Sequence, residues 1–519
     1  MPPNNNPEIE ILFSRYGRKY KWLVTIGGLI GSMTMVLSAT MVNVAIPSIM
    51  GAFGIGQHIA QWAATSFLAT MVASQLLNNW MIEAFGQKLV FCTALSIFSL
   101  GAFVCASSLN IEMLVAGRIL QGFSAGIIQP LVLATIITVF PANRRGFAVG
   151  MYGMGVTLAP SFGPWIGGLA IDALTWRHIF LVVLPLVFIA LCFGLAFMPS
   201  KKLNKTTPDF DWVGYTLVAL AILFFISVIG NGQRWGWNSD WTLLFLLAAL
   251  ASSSAFIYSQ LKSRNPILDP TLFLNSQFTS AMLIAFAFGA GNFATNYAIP
   301  LFVQTIQGYT PTRAGLVLVP AGILLVSLIP LSGRLSDYIP SYQPIILGCM
   351  IFATAAFLMS SADVNTPYWS MAAYALMSRG AIGLVMPNMG KVAMSSTTTD
   401  KLNKAAGTYI FIRQLGGATG VAVTSVVIEM QTAYHVDQII SSQTSSNSSS
   451  RSVLQSIMEL LKIEGIAADS QMSGALQYLG EIVYYQGRAF GFQDSFLLIS
   501  FVFCIAIIPA LLLGKAARK

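Results

Sequence analysis

Three arginines lie inside long apolar stretches of the sequence: Arg118, Arg379 and Arg413. A charged side chain is expensive within a segment long enough to cross a bilayer, so such residues usually serve a ligand, an ion or a proton. Arg118 lies about six residues into its stretch, where an outer cavity would reach it. The alternative interpretation is that backbone carbonyls satisfy the guanidinium and that the side chain braces helices. Both interpretations stay open for Arg379 and Arg413.

A second candidate element is rich in glycine and proline around Gly163, Pro164, Gly167 and Gly168. Small residues let helices approach closely in lipid, and proline removes a backbone donor and bends a helix. Ordinary tight packing would explain this composition. The other interpretation is a bending or sealing element between two parts of the molecule.

Polar and aromatic side chains on four apolar stretches form the candidate lining of a binding cavity. A pocket for amphipathic compounds has apolar walls and a few polar groups. The candidates are Ser38, Asn43, Gln61, Trp62, Gln129, Asn292, Asn296, Tyr297 and Gln304. The five cysteines are scattered singly and the three histidines lie far apart, so no metal site and no cofactor is expected.

Composition sets the class of protein that must position these residues. Of 519 residues, 55% are hydrophobic and 9% are charged, and the mean hydropathy is +0.70. A soluble domain has about a quarter of its residues charged, so a soluble enzyme, a nucleic-acid-binding domain and a disulfide-rich secreted module are excluded. The sequence predicts an all-α polytopic membrane protein.

Fourteen apolar stretches are long enough to span a bilayer. They cover residues 23–46, 60–82, 88–108, 112–139, 146–170, 178–198, 212–230, 241–261, 278–305, 313–332, 343–361, 367–392, 405–428 and 492–514. An even number places both termini on one side. With the termini in the cytoplasm, 19 lysines and arginines fall on the cytoplasmic side and 6 on the other, as the positive-inside rule requires.

A weak internal repeat divides the chain. Arg118-x-x-x-Gly122 in the fourth stretch has a counterpart, Arg379-x-x-x-Gly383, in the twelfth. Two six-helix halves, residues 1–200 and 277–519, would then flank a two-helix insert at 201–276. Repeated halves around a midplane site are typical of transporters. The segment 431–490 would be a periplasmic loop, with a flexible serine-rich run at 441–450 and a helix near 452–463.

Seven short runs resemble signatures of the major facilitator superfamily, in its fourteen-helix drug:proton antiporter branch of the multidrug-efflux type. They are TMVNVAIP at 40–47, QWAATSFL at 61–68, RILQG at 118–122, GPWIGG at 163–168, WRHIF at 176–180, NPILD at 265–269 and RQLGG at 413–417. The resemblance covers nearly the whole chain. It implies coupling or gating roles for Arg118, Gln121, Gly122, Gly163, Pro164, Gly167, Gly168, Arg379 and Arg413.

The sequence departs from that branch where a proton would bind. The first signature normally has an aspartate two residues before Thr40, and here that residue is Ser38. None of the 19 acidic residues falls in the middle of an apolar stretch, although proton antiport usually needs an acidic relay within the membrane. Only weak dependence on a pH gradient is therefore expected. Direct use of ATP is also not expected, since the GxxxxGK[ST] loop is absent.

The predicted function is secondary export of amphipathic organic compounds or drugs across the bacterial inner membrane by alternating access, without enzymatic activity. One alternative is a dedicated importer or exporter of a single solute, such as a siderophore or a metabolite. A membrane-embedded enzyme or sensor would need clustered histidine or acidic residues in the spans, which are lacking. The expected partners are the small substrate and the lipid bilayer, with no nucleic acid. The resemblance also implies a periplasmic adaptor protein.

Overall fold

The computed structural model describes residues 7–141, 145–200, 209–263, 266–335, 338–398, 401–443 and 447–517. In these residues, twenty α-helices and two short 3-10 helices account for the regular structure, and there is no strand. The all-helical class predicted from composition is confirmed. Asn265, the first residue of the NPILD run, and residues 444–446 of the serine-rich run lie outside the described residues.

The first ten helices lie between Pro7 and Phe197. They are α1 (Pro7–Tyr16), α2 (Tyr20–Phe53), α3 (Gln57–Ala60), α4 (Trp62–Gln75), α5 (Asn78–Phe85), α6 (Gln87–Ala106), α7 (Ile111–Val139), α8 (Arg145–Ala173), α9 (His178–Leu181) and α10 (Leu184–Phe197). Pro47, Pro130, Pro160 and Pro164 lie inside α2, α7 and α8. Prolines inside such helices are tolerated in membrane bundles, where neighbouring groups satisfy the freed carbonyls.

The remaining helices begin with a hairpin. They are α11 (Trp212–Trp235), α12 (Asp240–Lys262), α13 (Ser276–Thr305), α14 (Pro311–Leu316), α15 (Val319–Leu335), α16 (Tyr342–Met359), α17 (Tyr368–Ser395), α18 (Leu402–Ser442), α19 (Ser448–Ile463) and α20 (Ala468–Ala517). Large apolar side chains are exposed along α12, among them Trp241, Leu247 and Leu250. In water such a surface would aggregate, whereas lipid solvates it.

Each of the fourteen predicted stretches coincides with helical structure. Twelve of the resulting segments are long and apolar enough to cross a membrane by themselves. The other two are the stretch at 60–82, which is divided between α3, α4 and α5, and α17, whose 28 residues include Ser378, Arg379 and Asn388. Both therefore have a local reason to give a weaker hydropathy signal.

The predicted repeat packs in the same way in both parts of the chain. Gly122 on α7 faces the backbone of Phe67 on α4 so closely that a Cβ atom would overlap the Phe67 carbonyl. Gly383 on α17 faces α15, where a Cβ atom would lie 2.9 Å from Leu328 Cβ. In both places the glycine one turn after the arginine lets two helices approach closely. The domain boundaries 1–200, 201–276 and 277–519 stay predictions.

The segment 431–490, predicted to lie in the periplasm, contains parts of three helices among its described residues, and the flexibility predicted for the run 441–450 stays a prediction. α18 continues to Ser442, and α20 begins at Ala468, well before its apolar part. The expected helix near 452–463 is confirmed by α19, which buries Ile457 and packs Leu461 against Gly474 of α20. Glycines then bring α18 and α20 together, since a Cβ atom on Gly487 would overlap Val436. Apolar contacts therefore pack these described helices against one another despite the polar average of the segment.

Candidate functional site

A small cavity lies between the two parts of the helical bundle. Its walls come from α2, α4, α7 and α8 on one side and from α13, α15, α17 and α18 on the other. The polar side chains that line it are those of Gln129, Thr157, Ser161, Asn292, Arg379, Arg413 and Gln414. The cavity has a volume of about 90 Å³, far below the roughly 300–1,000 Å³ of a pocket that holds a drug-sized molecule. The conformation is therefore nearly closed around its centre.

Arg379 carries a buried and incompletely paired charge in this cavity. Its side chain is 1% exposed. Nη1 donates to the side-chain Oδ1 of Asn292 and to the Asn292 carbonyl at 3.4 Å. Nε and Nη2 have no hydrogen-bond partner in the described structure. Two guanidinium nitrogens are thus left free for a further acceptor, and leaving them unpaired is costly.

Arg413 adds a second cation to the same cavity. Its Nη1 lies 3.9 Å from the thioether sulfur of Met386, and its guanidinium lies 5.8 Å from the ring centre of Tyr409. Sulfur is a weak acceptor, so neither contact neutralises the charge. The described residues that line the cavity include no aspartate or glutamate. The cavity is therefore positively charged.

Arg118 lies outside this cavity and is fully enclosed by helices. Its Nε donates to the Ala63 carbonyl at 2.7 Å, and its Nη1 donates to Gln121 Oε1 at 2.8 Å and to Ser38 Oγ at 3.3 Å. The guanidinium also lies 4.2 Å from the ring centre of Phe67, a cation–π distance. Arg118 consequently joins α2, α4 and α7.

Ser38 thus contacts the arginine that a carboxylate at this position would pair with. The resemblance implies an aspartate here, and the hydroxyl supplies only a neutral acceptor. No acidic side chain in the described structure forms an ion pair with Arg118, and its Nη2 has no partner there. The substitution removes the titratable group and retains the contact between α2 and α7.

The glycine-rich run on α8 forms two different close contacts. Gly163 and Gly167 pack against α2, where a Cβ atom on Gly163 would overlap Thr40 Oγ1. Gly168 instead faces the second half of the chain, and a Cβ atom there would overlap the backbone of Pro311 at the start of α14. Gly315 on α14 reciprocates against the backbone of Pro164. The predicted sealing element therefore lies at a direct backbone contact between the halves.

A polar network joins the halves at the same end of the bundle. Arg488 Nη2 donates to Gln57 Oε1 at 2.9 Å, and Gln57 Nε2 donates to the Tyr297 hydroxyl at 3.4 Å. His58 Nδ1 lies 2.7 Å from Glu429 Oε1. We name Gln57, His58, Tyr297, Glu429 and Arg488 the closed-end network. Its members come from both halves, so separating the halves at this end would break it.

The opposite end, where α2 begins and α20 ends, leaves more space between the halves. There a second cavity of about 320 Å³ separates the α4–α5 region from α18. Its lining includes Asn78, Pro130, Phe210, Ile267 and Thr408, so the two halves and the residues flanking α11 and α12 all contribute. The bundle is accordingly closed at the end of the closed-end network and looser at the other.

The NPILD run has a structural role at this looser end. Asp269 caps the 3-10 helix Pro270–Leu274, accepting from the Thr271 amide at 3.0 Å, and its Oδ2 lies 3.2 Å from Lys401 Nζ. Burial alone would raise the pKa of Asp269, but the hydrogen bonds from Thr271 and the charge of Lys401 outweigh burial and hold that pKa below its usual value. The pair ties the chain before α13 to the start of α18.

The predicted cavity residues divide into distinct places. Gln129 and Asn292 line the central cavity, and Ser38 contacts Arg118. Asn43 donates to the Asn296 carbonyl at 3.2 Å across the halves. Gln61 is buried, and its amide has no hydrogen-bond partner in the described structure. Trp62 packs against Gly230 of α11, and Tyr297 belongs to the closed-end network. Gln304 donates to the Pro300 carbonyl of its own helix.

Sequence reasoning missed Gln414 and most of the closed-end network. Gln414 Nε2 donates to Gln129 Oε1 at 3.3 Å and so connects the halves across the cavity. It directly follows Arg413 in the RQLGG run, which was the available signal. Gln57, His58 and Arg488 carry no comparable signal, because their partners are distant in sequence. The two partners of Gln57, for example, lie 240 and 431 positions away. Among the described residues, no group of histidine, cysteine or acidic side chains could hold a metal ion.

The comparison with known proteins identifies the family. The model of the Major Facilitator Superfamily matches residues 28–421. The chain belongs to this superfamily. It is 30% identical to the uncharacterized MFS-type transporter YcnB of Bacillus subtilis, over 78% of this chain and 86% of that one. It is 25% identical to the multidrug export protein EmrB of Haemophilus influenzae, over 91% and 92% of the two chains.

A solved structure shows the same fold. A bacterial homologue of the human lysosomal transporter Spinster, in an inward-facing and unoccupied conformation, superposes with a TM-score of 0.64 at 15% identity, over 96% of this chain and 98% of that one. Together with the relatives, this makes the chain a multi-pass membrane transporter of the major facilitator superfamily, and the prediction that it is not an enzyme is confirmed. The resemblance to the multidrug-efflux branch is confirmed as well.

Proposed function

We propose that this transporter exports amphipathic organic compounds across the bacterial inner membrane by alternating access, with both termini in the cytoplasm. The observation that carries the proposal is the central cavity, which both halves build and which is closed at one end and approached by a second cavity at the other. Its relatives include a protein named as a multidrug exporter. With the proposed topology, the closed-end network faces the periplasm and the conformation is closed to the outside.

We infer that the contact between α8 and α14 and the closed-end network form the outer gate. Gly168 and Gly315 bring the halves into backbone contact, so the seal closes only when both positions lack a Cβ atom. The closed-end network lies at the same end and adds hydrogen bonds that can exchange with water when the gate opens. Opening at this end requires the two halves to rotate as bodies about the cavity.

The proposed coupling differs from that of an acid-based antiporter. Arg118 connects three helices of the first half through neutral acceptors, and no acidic side chain lines the described cavity. A proton that drives transport needs a titratable group that faces each side in turn. We therefore infer that the pH gradient has little influence on transport.

A periplasmic adaptor, which the resemblance implies, would meet the segment formed by α19 and the start of α20. Large apolar side chains are exposed on the surface of this segment, including Leu460, Ile463, Leu476 and Tyr485. Exposed apolar surface of this kind marks contacts with other proteins. Replacement of Leu460 and Ile463 by serine should leave flux in purified vesicles unchanged and reduce drug resistance in cells. Loss of flux in vesicles would contradict an adaptor role.

Flux into vesicles reconstituted with the purified protein tests the proposed function. Amphipathic naphthalene and acridine compounds carrying fixed positive or negative charges are offered at the outside, and uptake is compared with protein-free vesicles. Protein-dependent flux is expected for at least one charge class. Absence of flux for all of them, with protein that unfolds cooperatively on heating, would contradict the export proposal.

A further inference from the structure

The charge balance of the central cavity sets its ligand chemistry. Arg379 and Arg413 line it, and no acidic side chain does so among the described residues. A buried cation without a counter-charge is strongly unfavourable in a low-dielectric interior. A ligand with a negative group would therefore gain electrostatic energy that a neutral or cationic ligand would not.

The unpaired hydrogen-bond donors of Arg379 point to the same conclusion. The side chain is 1% exposed, yet Nε and Nη2 have no acceptor. Adjacent guanidinium nitrogens form the fork that binds the two oxygens of a carboxylate, a sulfonate or a phosphate. Asn292 fixes the remaining nitrogen, Nη1, and thereby the orientation of the group.

The rest of the cavity suits an apolar body. Phe288, Phe293 and Met386 line it together with aliphatic side chains. Aromatic and thioether side chains adapt to ligands of different shape. An inorganic anion would leave this surface without a partner.

We propose that the transported substrates are organic anions, which bind with their acidic group at Arg379 and Arg413 and their apolar body against Phe288, Phe293 and Met386. The inference rests on the proposed transport function and names its substrate class. The cavity of about 90 Å³ must widen to admit such a molecule, which the loose end of the bundle permits.

The same charge pattern explains how export proceeds without a proton relay. The cytoplasmic side of a bacterial membrane is electrically negative, so an anion is driven outward by the membrane potential. At 100 mV this drive corresponds to an accumulation of about fifty-fold for one charge. The arginines remain at the middle of the bundle during rocking, so the substrate carries the charge that crosses the membrane.

Three naphthalene probes that differ only in the head group test the inference. Naphthalene-2-sulfonate is anionic, naphthalene-2-methanol is neutral, and trimethyl(naphthalen-2-ylmethyl)ammonium is cationic. Binding to the full chain in a zwitterionic detergent is measured from the ligand-dependent rise in melting temperature. The sulfonate is expected to bind about tenfold more tightly than the alcohol, and the ammonium compound more weakly than both.

Variants assign that preference to the site. Arg379→Gln and Arg413→Gln should each reduce the ratio of sulfonate affinity to alcohol affinity to about twofold, and Arg413→Lys should retain part of that preference. Arg313→Gln is the matched control, because Arg313 is exposed at the far end of the bundle and lies outside the cavity. If a glutamine variant does not fold, the order of the three binding affinities on the unmodified protein and on Arg413→Lys still tests the inferred substrate class.

Each other outcome overturns a defined part of the proposal. Equal binding of the three probes, or preference for the ammonium compound, would overturn the inferred substrate class, while flux of the cation would leave the export proposal intact. A sulfonate preference that survives both glutamine substitutions would overturn the site. Loss of sulfonate binding when phosphatidylglycerol is added would assign the arginines to an anionic lipid and would overturn the proposal as well.

Discussion

Arg118 and Arg379 begin the same five-residue pattern on two helices, yet their surroundings differ. Arg118 donates to acceptors on α2 and α4 and to Gln121 of its own helix, lies against the ring of Phe67, and is separated from the cavity. In the described structure Arg379 donates hydrogen bonds to Asn292 alone, and it lines the cavity. The same residue in the same repeat therefore holds helices together in one half and faces the central cavity in the other.

This difference separates two roles that a sequence motif cannot distinguish. A guanidinium with several fixed acceptors contributes to stability, because its removal leaves those acceptors unpaired in the interior. A guanidinium with free nitrogens contributes little or even reduces stability, because its charge is not compensated. Substitutions at the two positions should therefore affect stability and binding in opposite proportions.

The largest effect is expected for Arg118→Ala. It removes the guanidinium that donates to the Ala63 carbonyl, Ser38 Oγ and Gln121 Oε1, and should lower the free energy of unfolding by about 3 kcal/mol, with loss of flux. Arg379→Met should stay within about 1 kcal/mol of the unmodified protein, or exceed it, while anion binding is lost. Denaturant unfolding in detergent measures the free energy of unfolding of both variants. Equal destabilisation by the two variants would remove the distinction between the sites.

A large effect on flux without an effect on folding is expected for Gly168→Ala. The added methyl group would overlap the backbone of Pro311, so the halves could not close at the outer end. Flux should fall at least about tenfold, because the state that is closed at this end, which the transport cycle must pass through, becomes less favourable by about 1.4 kcal/mol or more. Gly153→Ala on the same helix is the control, since a Cβ atom there meets nothing within 4 Å. Similar flux in the two variants would refute the sealing role.

A moderate effect is expected for Ser38→Asp. Ser38 Oγ lies 3.3 Å from Arg118 Nη1, so a carboxylate there can pair with the guanidinium and can bind and release a proton. The ratio of flux with a pH gradient to flux without one should rise several-fold, from about 1. Ser38→Asn supplies a side chain of the same shape that does not titrate. A ratio unchanged in the aspartate variant, or raised equally in the asparagine variant, would contradict this expectation.

The smallest effect is expected for Asp269→Asn, which removes the charge that pairs with Lys401 and leaves the central sites unaltered. Since the pKa of Asp269 is lowered in the folded protein, its stabilising effect is present at neutral pH and is lost as the pH falls through that lowered pKa. The substitution should cost about 1 kcal/mol at pH 7 and progressively less as the pH falls through the lowered pKa of Asp269. Melting temperatures of both proteins over a series of pH values from 7 downward measure this. A cost that does not decrease at acidic pH would show that the charge is not the cause.

The sequence predicted the helices well because hydropathy is a local property. All fourteen apolar stretches are helical, and even the weak stretch at 60–82 was found through its flanking turns. The helical extensions of α18 and α20 into the segment 431–490 were not predicted, since the contacts of Ile457 and Gly487 depend on helices that meet only after folding. Average polarity does not reveal such contacts.

The candidate site was predicted by residue type more than by position. Arg379, Arg413, Gln129 and Asn292 were selected from the sequence as charged or polar residues within spans, and they meet at one cavity. The separation of Arg118 from that cavity depends on the rotation of α7 against α4, which hydrophobic periodicity does not fix when all faces of a helix are apolar. The pairing of His58 with Glu429 required the packed structure.

Flux of naphthalene-2-sulfonate under separately controlled driving forces tests the central claim most directly. In vesicles with equal pH on both sides and a potential set by potassium and valinomycin, uptake should follow the potential and approach about fifty-fold accumulation at 100 mV, positive inside. With the potential held at zero, a pH gradient should produce no accumulation. Accumulation driven by the pH gradient alone, with no response to the potential, would contradict the claim that an arginine-lined cavity transports anions without a proton relay.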